Sequence, residues 1–243
     1  MNLYNKILLS LLLLYIIFVL ICIKTEWIVD KNQRYKYTLL DMYNYRLGDV
    51  VKFSFSKQLH NRLTYFLLYN GSIAREYMIE TYGKKIPNYD ILYNIIKKRK
   101  NNYQIPNVDT LIIHLRVGDV IDWEWPGDID QLLEGKIDDT FNYMRNYNYF
   151  EKNIEKIKDK IKKIVLVGGF HTDCDHTRSW YYINKIKDFL QTKGYQIELR
   201  IDKYGADEDF IYMSNSEYFI QAGGGYSDTI SKMVEKNNKT LLY

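Results

Sequence analysis

Ile164-Val165-Leu166-Val167-Gly168-Gly169 is an unbroken apolar run closed by two glycines. A strand with one wet face alternates polar and apolar residues. A run without polar residues suits a strand covered on both faces, as in a parallel sheet flanked by helices. On either side the period changes: Ile154, Ile157 and Ile161 have helical spacing upstream, and Ile183, Ile186 and Leu190 have it downstream. Further out, Leu111-Ile112-Ile113-His114-Leu115-Arg116-Val117 reads as a strand ending in Gly118-Asp119, and Tyr195, Ile197, Leu199 and Ile201 alternate as another. A short helix near 207–213, a strand at 217–221, a helix at 228–237 and a strand at 240–243 complete the series. Strand and helix alternate throughout, which predicts an α/β fold with a Rossmann-like open parallel sheet over residues 107–243. In such sheets ligands sit beyond the carboxyl ends of the strands, where the loops opening at Gly118, Gly168 and Gly223 lie.

The part before this domain carries less pattern. Residues 89–99 read as a helix with Ile91, Leu92, Ile95 and Ile96 on one face, and 72–82 as another. Tyr45–Phe53 resembles a turn followed by a short strand. Residues 25–106 are therefore expected to form a short N-terminal part. Ahead of it, Ile7 to Ile23 is interrupted only by Ser10, Tyr15 and Cys22 and is bounded by Lys6 and Lys24. Its length is within the lower range for a bilayer span, and no small-residue cleavage site follows. Residues 1–24 thus read as one transmembrane signal anchor, attached to the membrane through residues 7–23. An uncleaved signal sequence and a buried core helix are the other readings. Lys24, Lys31, Arg34 and Lys36 behind the span favour a cytoplasmic soluble domain by the positive-inside rule.

Composition narrows the function classes. With 47% hydrophobic and 26% charged residues the chain is globular rather than disordered. Its net charge of +4 comes from dispersed lysines, such as Lys156, Lys158, Lys160, Lys162 and Lys163, which suit a solvated face. No stacking motif accompanies them, so nucleic acid is not an expected partner. Cys22 lies in the apolar segment and Cys174 in the soluble part, which excludes a disulfide within the soluble domain.

His114 and Arg116 are two apart on one strand, so they project from the same face. A cation at the end of a buried strand requires an anionic partner. A diphosphate supplies one that fits the guanidinium fork; an internal pair with Asp119 or another carboxylate is the alternative. A second element, Ala222-Gly223-Gly224-Gly225-Tyr226-Ser227, lies between a strand and an amphipathic helix. Its glycines allow close backbone approach and its free N–H groups favour an anion, with Ser227 as a cap or a further donor. A tight turn with a serine cap is the plainer reading.

Together these elements resemble a known family. His114-Leu115-Arg116-Val117-Gly118-Asp119 is similar to the H-x-R-x-x-D signature of the superfamily holding the α1,2-, α1,6- and protein O-fucosyltransferases. The stretch Asp207-Glu208-Asp209 through Met213 to Phe219-Ile220 resembles that family's acidic helix and following strand, and the glycine corner comes next, as the family's third motif does. The resemblance covers residues 110–235. It implies a GT-B-like C-terminal half that binds a GDP-sugar donor without metal or cofactor and transfers fucose or a similar sugar to a glycan or protein acceptor. Arg116 would bind the β-phosphate and His114 would support it. Asp207 or Asp209 would face the base or ribose, and Gly224, Gly225 and Ser227 would line the diphosphate. Plain helix N-terminal charge is the other reading of the two acids. For the proton of the acceptor hydroxyl, Asp119, Asp122 and Glu124 lie at or after the strand end, and Arg116, Asp119 and Glu124 make up the expected catalytic set. Family analogy points the soluble domain into the lumen.

The sequence also departs from the family. The part before residue 110 is short for an acceptor half, and Val117 and Gly118 follow Arg116 where the family commonly has adjacent arginines. An inactive, membrane-tethered relative acting as a binding or structural protein is one alternative. Another is a metal-dependent D-x-D glycosyltransferase using His171-Thr172-Asp173-Cys174-Asp175-His176, whose residue types suit a metal.

Overall fold

The computed structural model describes residues 88–137, 143–170 and 175–243, together with Tyr15, Ile73, Glu76, Tyr77 and Glu80. Five strands, β1 Thr110–His114, β2 Lys163–Gly168, β3 Gln196–Ile201, β4 Tyr218–Ile220 and β5 Thr240–Leu242, form one sheet in the order β3-β2-β1-β4-β5. Every pairing is parallel, with Ile112 opposite both Val165 and Phe219 at the centre. Within residues 88–137, 143–170 and 175–243 the α-helices are α1 Tyr89–Arg99, α2 Ile129–Leu133, α3 Tyr147–Glu155, α4 Thr177–Thr192, α5 Ala206–Ser214 and α6 Gly224–Lys236.

The unbroken apolar strands follow from burial on both faces. Leu111, Ile113, Ile164 and Leu166 point into one core with α2, α3 and α4, whereas Ile112, Val165, Val167 and Phe219 meet α1, α5 and α6 on the other side. Residues two apart share a face, so one strand serves both cores. Leaving β1, the chain winds through β2 and β3 on the first side; after β3 it returns through β4 and β5 on the second.

The observed elements match the expected series, with shifts at their ends. Helix α1 covers the expected 89–99. Within 72–82, Ile73, Glu76, Tyr77 and Glu80 are helical. Strand β1 stops at His114 rather than Val117, although Leu115 N–H still donates to the Val167 carbonyl at 2.8 Å. The chain then turns away through Gly118, whose φ of +84° suits glycine. Helix α3 ends at Glu155, and the helical spacing of Ile157 and Ile161 runs on through a tight turn at Lys158–Lys160. Helix α6 begins at Gly224, ahead of the expected 228, because its glycine-rich first turn carries no apolar period. The expected anchor at 7–23 lies outside the described residues apart from Tyr15, and the turn and strand at 45–53 lie wholly outside them. No helix among the described residues is long and apolar enough to cross a membrane.

Candidate functional site

In the order β3-β2-β1-β4-β5 the winding reverses between β1 and β4. Loops leaving these two neighbours go to opposite sides of the sheet and open a crevice at their carboxyl ends, the usual ligand position in open α/β sheets. Both motifs singled out in the sequence end at this crevice.

On the β1 side, His114 is buried and its Nδ1 has no hydrogen-bond partner. Burial, and then the positive charge of Arg116, lower its pKa from 6.5 to about 3, so the ring is neutral. Arg116 lies just past the strand, its side chain only 16% exposed. Its Nη2 is 2.7 Å from Asp119 Oδ1 and its Nη1 donates to the Val117 carbonyl at 2.9 Å. The internal pair left open by the sequence is therefore formed. Asp119 also accepts from Val120 N–H, capping the wide helical turn Val120–Glu124. Glu124 is the last residue of that turn, and its side chain is outside the described part.

On the β4 side, Gly223 precedes α6 in extended conformation, and no side chain caps the helix. Gly224 has φ +84°, which strains any residue with a Cβ. The uncapped N–H groups of the first turn form the positive end of the helix dipole. Gly225 is in that turn, its carbonyl accepting from Thr229. Ser227 is fully buried, and its Oγ has no partner. Native proteins leave few buried polar atoms unpaired, so His114 Nδ1 and Ser227 Oγ in one corner suit a ligand that brings acceptors or donors.

Two tyrosines join the sides. The Arg116 guanidinium lies 6.0 Å from the centre of the Tyr143 ring, and a Cβ added at Gly224 would stand 3.5 Å from Tyr143 Cε1. Tyr226, in the first turn of α6, has its ring centre 5.8 Å from that of His114. The expected donor-site residues His114, Arg116, Gly224, Gly225 and Ser227 therefore gather around one corner. Sequence reasoning missed Tyr143, Arg145 and Tyr149. Arg145 Nη2 donates to the Ala222 carbonyl at 3.2 Å and Tyr149 Oη to the Gln221 carbonyl at 2.8 Å. No local motif marks them; only the fold brings them to β4.

The remaining candidates are engaged elsewhere. Asp209 is buried, with Oδ1 2.6 Å from Arg200 Nε, and the Arg200 guanidinium lies between the rings of Tyr204 and Tyr212 at 3.6 and 4.1 Å. Asp207 accepts from the Ile73 N–H at 2.6 Å. Burial raises its pKa, against the lowering effects of that bond and of Arg99. Both acids thus tie parts of the fold together. Asp122 accepts from Ser179 N–H and Oγ, and its Oδ2 is 2.9 Å from His176 Nδ1. The His176 ring is stacked on Phe170 at 4.0 Å. Residues 171–174 of the alternative metal motif lie outside the described part, and no group of three or more metal-ligating side chains occurs among the described residues. Trp123 is 62% exposed, whereas Trp125 is buried and packs the loop.

Strand order and winding define a Rossmann-like α/β domain, and the uncapped glycine corner at its switch point has the chemistry to hold an anion. No protein-family model and no curated protein sequence matches the chain. Solved structures of POFUT1, a protein O-fucosyltransferase, do match it in part. One crystal form with GDP-fucose shares 15% identity at a TM-score of 0.31, over 59% of this chain and 42% of that one. The apo form shares 15% at 0.38 over 69% and 57%. A further GDP-fucose complex shares 12% at 0.35 over 68% and 55%. This chain thus spans about half the length of those structures.

Proposed function

We propose that this protein is a membrane-anchored glycosyltransferase that takes a sugar, fucose or one like it, from a GDP-sugar and transfers it to a glycan or protein acceptor. The observation that carries the reading is the meeting of the His114–Arg116 strand end with the uncapped Gly223–Ser227 corner across the β1/β4 switch point. A diphosphate gains negative charge as its glycosidic bond breaks. Fixed donors stabilise that charge without reorganising, and this stabilisation is the main service such a corner offers. Arg116 supplies a full positive charge and the α6 N–H groups supply fixed partial charge. His114, held neutral, offers the ligand its unpartnered Nδ1 rather than a charge.

Asp119 and Glu124 stay assigned to the acceptor side of the reaction, where a carboxylate can take the acceptor proton. The GDP base, the fucosyl group, the absence of a metal or other cofactor and a lumenal soluble domain come from the motif resemblance, and the anchor from the apolar run at 7–23.

Thermal shift of the full chain with GDP, UDP, ADP and GDP-fucose, each with and without EDTA, tests the reading. GDP and GDP-fucose should raise the melting temperature, equally in EDTA. Stabilisation by UDP alone, or by none of the four, overturns the assignment; stabilisation lost in EDTA points to the metal-dependent alternative. Donor binding without transfer to any acceptor leaves the inactive-relative alternative standing.

A further inference from the structure

Tyr143, Met144 and Arg145 lie just before α3, with Met144 buried in the first core and Tyr143 beside Arg116 and Gly224. The backbone of Arg145 is held in place by Tyr182, whose hydroxyl accepts from Arg145 N–H at 2.8 Å and donates to the Arg145 carbonyl at 2.9 Å. Tyr182 is a buried residue of α4, so the anchor is rigid. From there the side chain reaches to the end of β4. Its Nη2 contacts the Ala222 carbonyl at 3.2 Å, one residue ahead of the cap of α6. The Tyr149 ring lies 4.8 Å beneath the guanidinium, and Tyr149 in turn is tied to Gln221.

This guanidinium is poorly compensated. It takes part in no ion pair among the described residues, and its buried Nε has no hydrogen-bond partner. Beside it stands the positive end of α6. Placing a half-buried cation next to uncapped helix N–H groups concentrates one sign of charge, which is costly unless an anion arrives. The Tyr149 ring and hydroxyl and one neutral carbonyl, none of them charged, offset only part of that cost. Arg200 and Arg99 are matched to carboxylates, Asp209 and Glu76, and Arg178 donates to three backbone carbonyls, whereas the Arg145 guanidinium donates to one.

We propose that Arg145 is a second diphosphate-binding arginine, holding the leaving group from the β4 side while Arg116 holds it from the β1 side. The inference rests on the nucleoside-diphosphate reading of the crevice given above. Two guanidinium groups carried by separate elements grip adjacent phosphates from different directions, and each neutralises charge that grows as the sugar departs. The Ala222 contact parks Arg145 within reach of the site, with its rotamer already restricted, so less entropy is lost on binding.

The test compares wild type, Arg145→Ala and Arg145→Lys in the full chain, titrated with GDP, inorganic pyrophosphate and guanosine, with the unliganded melting temperature as the fold control. Arg145→Ala is expected to weaken GDP and pyrophosphate by about 10- to 100-fold, the range for losing a charge-assisted hydrogen bond, and to leave guanosine unchanged. Arg145→Lys keeps a charge and a contact to Ala222, so it should fold even if the alanine variant does not, and bind GDP with intermediate affinity and undiminished salt sensitivity. A folded variant that binds GDP and pyrophosphate like wild type overturns the assignment. So does an equal loss for guanosine, because that marks a general loosening of the β4–α6 loop. If wild-type protein binds no nucleoside diphosphate, the reading of the crevice falls first, an outcome visible before any variant is made.

Discussion

Arg116 Nη2 and Asp119 Oδ1 stand 2.7 Å apart at the lip of the sheet, an ion pair between side chains that are 16% and 18% exposed. A pair this enclosed is worth more than a solvent-exposed one, because removing one member leaves the other without its charge-assisted bond. Arg116→Ala should therefore lower folding stability by about 1–3 kcal/mol. The same substitution removes a donor aimed at developing charge, and turnover should fall about 10²–10³-fold. Chemical denaturation beside a donor-hydrolysis or transfer assay separates the two effects. Equal losses in both would make Arg116 a structural residue.

His114 gives the domain an acid-side liability. Its folded pKa of about 3 lies below the unfolded value of 6.5, so the unfolded chain binds more protons between those limits. The contribution is complete above pH 6.5 and is lost as pH falls towards 3. Unfolding free energies of wild type and His114→Phe, compared at pH 6 and pH 4, should diverge by up to about 1.4 kcal/mol per pH unit, the value for one proton. Parallel profiles would show that the ring is not held neutral. A bound diphosphate beside His114 raises its pKa, so donor binding below pH 6 should take up protons, which calorimetry in buffers of different ionisation enthalpy would register.

Asp209 and Arg200 form the buried pair of the second core, sandwiched by Tyr204 and Tyr212. Removing one member leaves an uncompensated buried charge, at a cost of about 3–5 kcal/mol. Asp209→Ala should lose that much in urea unfolding. If the variant is stable but cannot bind GDP, Asp209 is a donor ligand after all.

Gly224 is the residue whose backbone sets the glycine corner. At φ +84° an added Cβ strains the chain by about 1–2 kcal/mol even though space exists against Tyr143. Gly224→Ala should therefore cost modest stability and a larger share of nucleotide affinity, since relief of the strain rotates the first N–H groups of α6 away from the crevice. A thermal-shift series with and without GDP measures both.

Much of the architecture was written locally. The apolar run at Ile164–Val167 marks a doubly covered strand because burial on both faces excludes polar residues. The Ile183, Ile186 and Leu190 spacing marks α4 because only one stripe of a helix meets the core. His114, Arg116 and the glycine corner were legible for a similar reason: a cation at a buried strand end and a run of glycines break the local pattern wherever they occur. Sequence also bounded the partners of Arg116, but left diphosphate and Asp119 as alternatives.

Strand order, with β1 between β2 and β4, was decided by tertiary packing, and so was the switch point that makes a crevice of two separate loops. The fold likewise gave Asp209 to Arg200, Asp207 to the Ile73 amide, and Arg145 to the end of β4. Such pairings join residues up to 134 positions apart, as Asp207 and Ile73 are. Periodicity records only which side of its own element a residue faces; which distant group waits on that side is fixed when the elements pack.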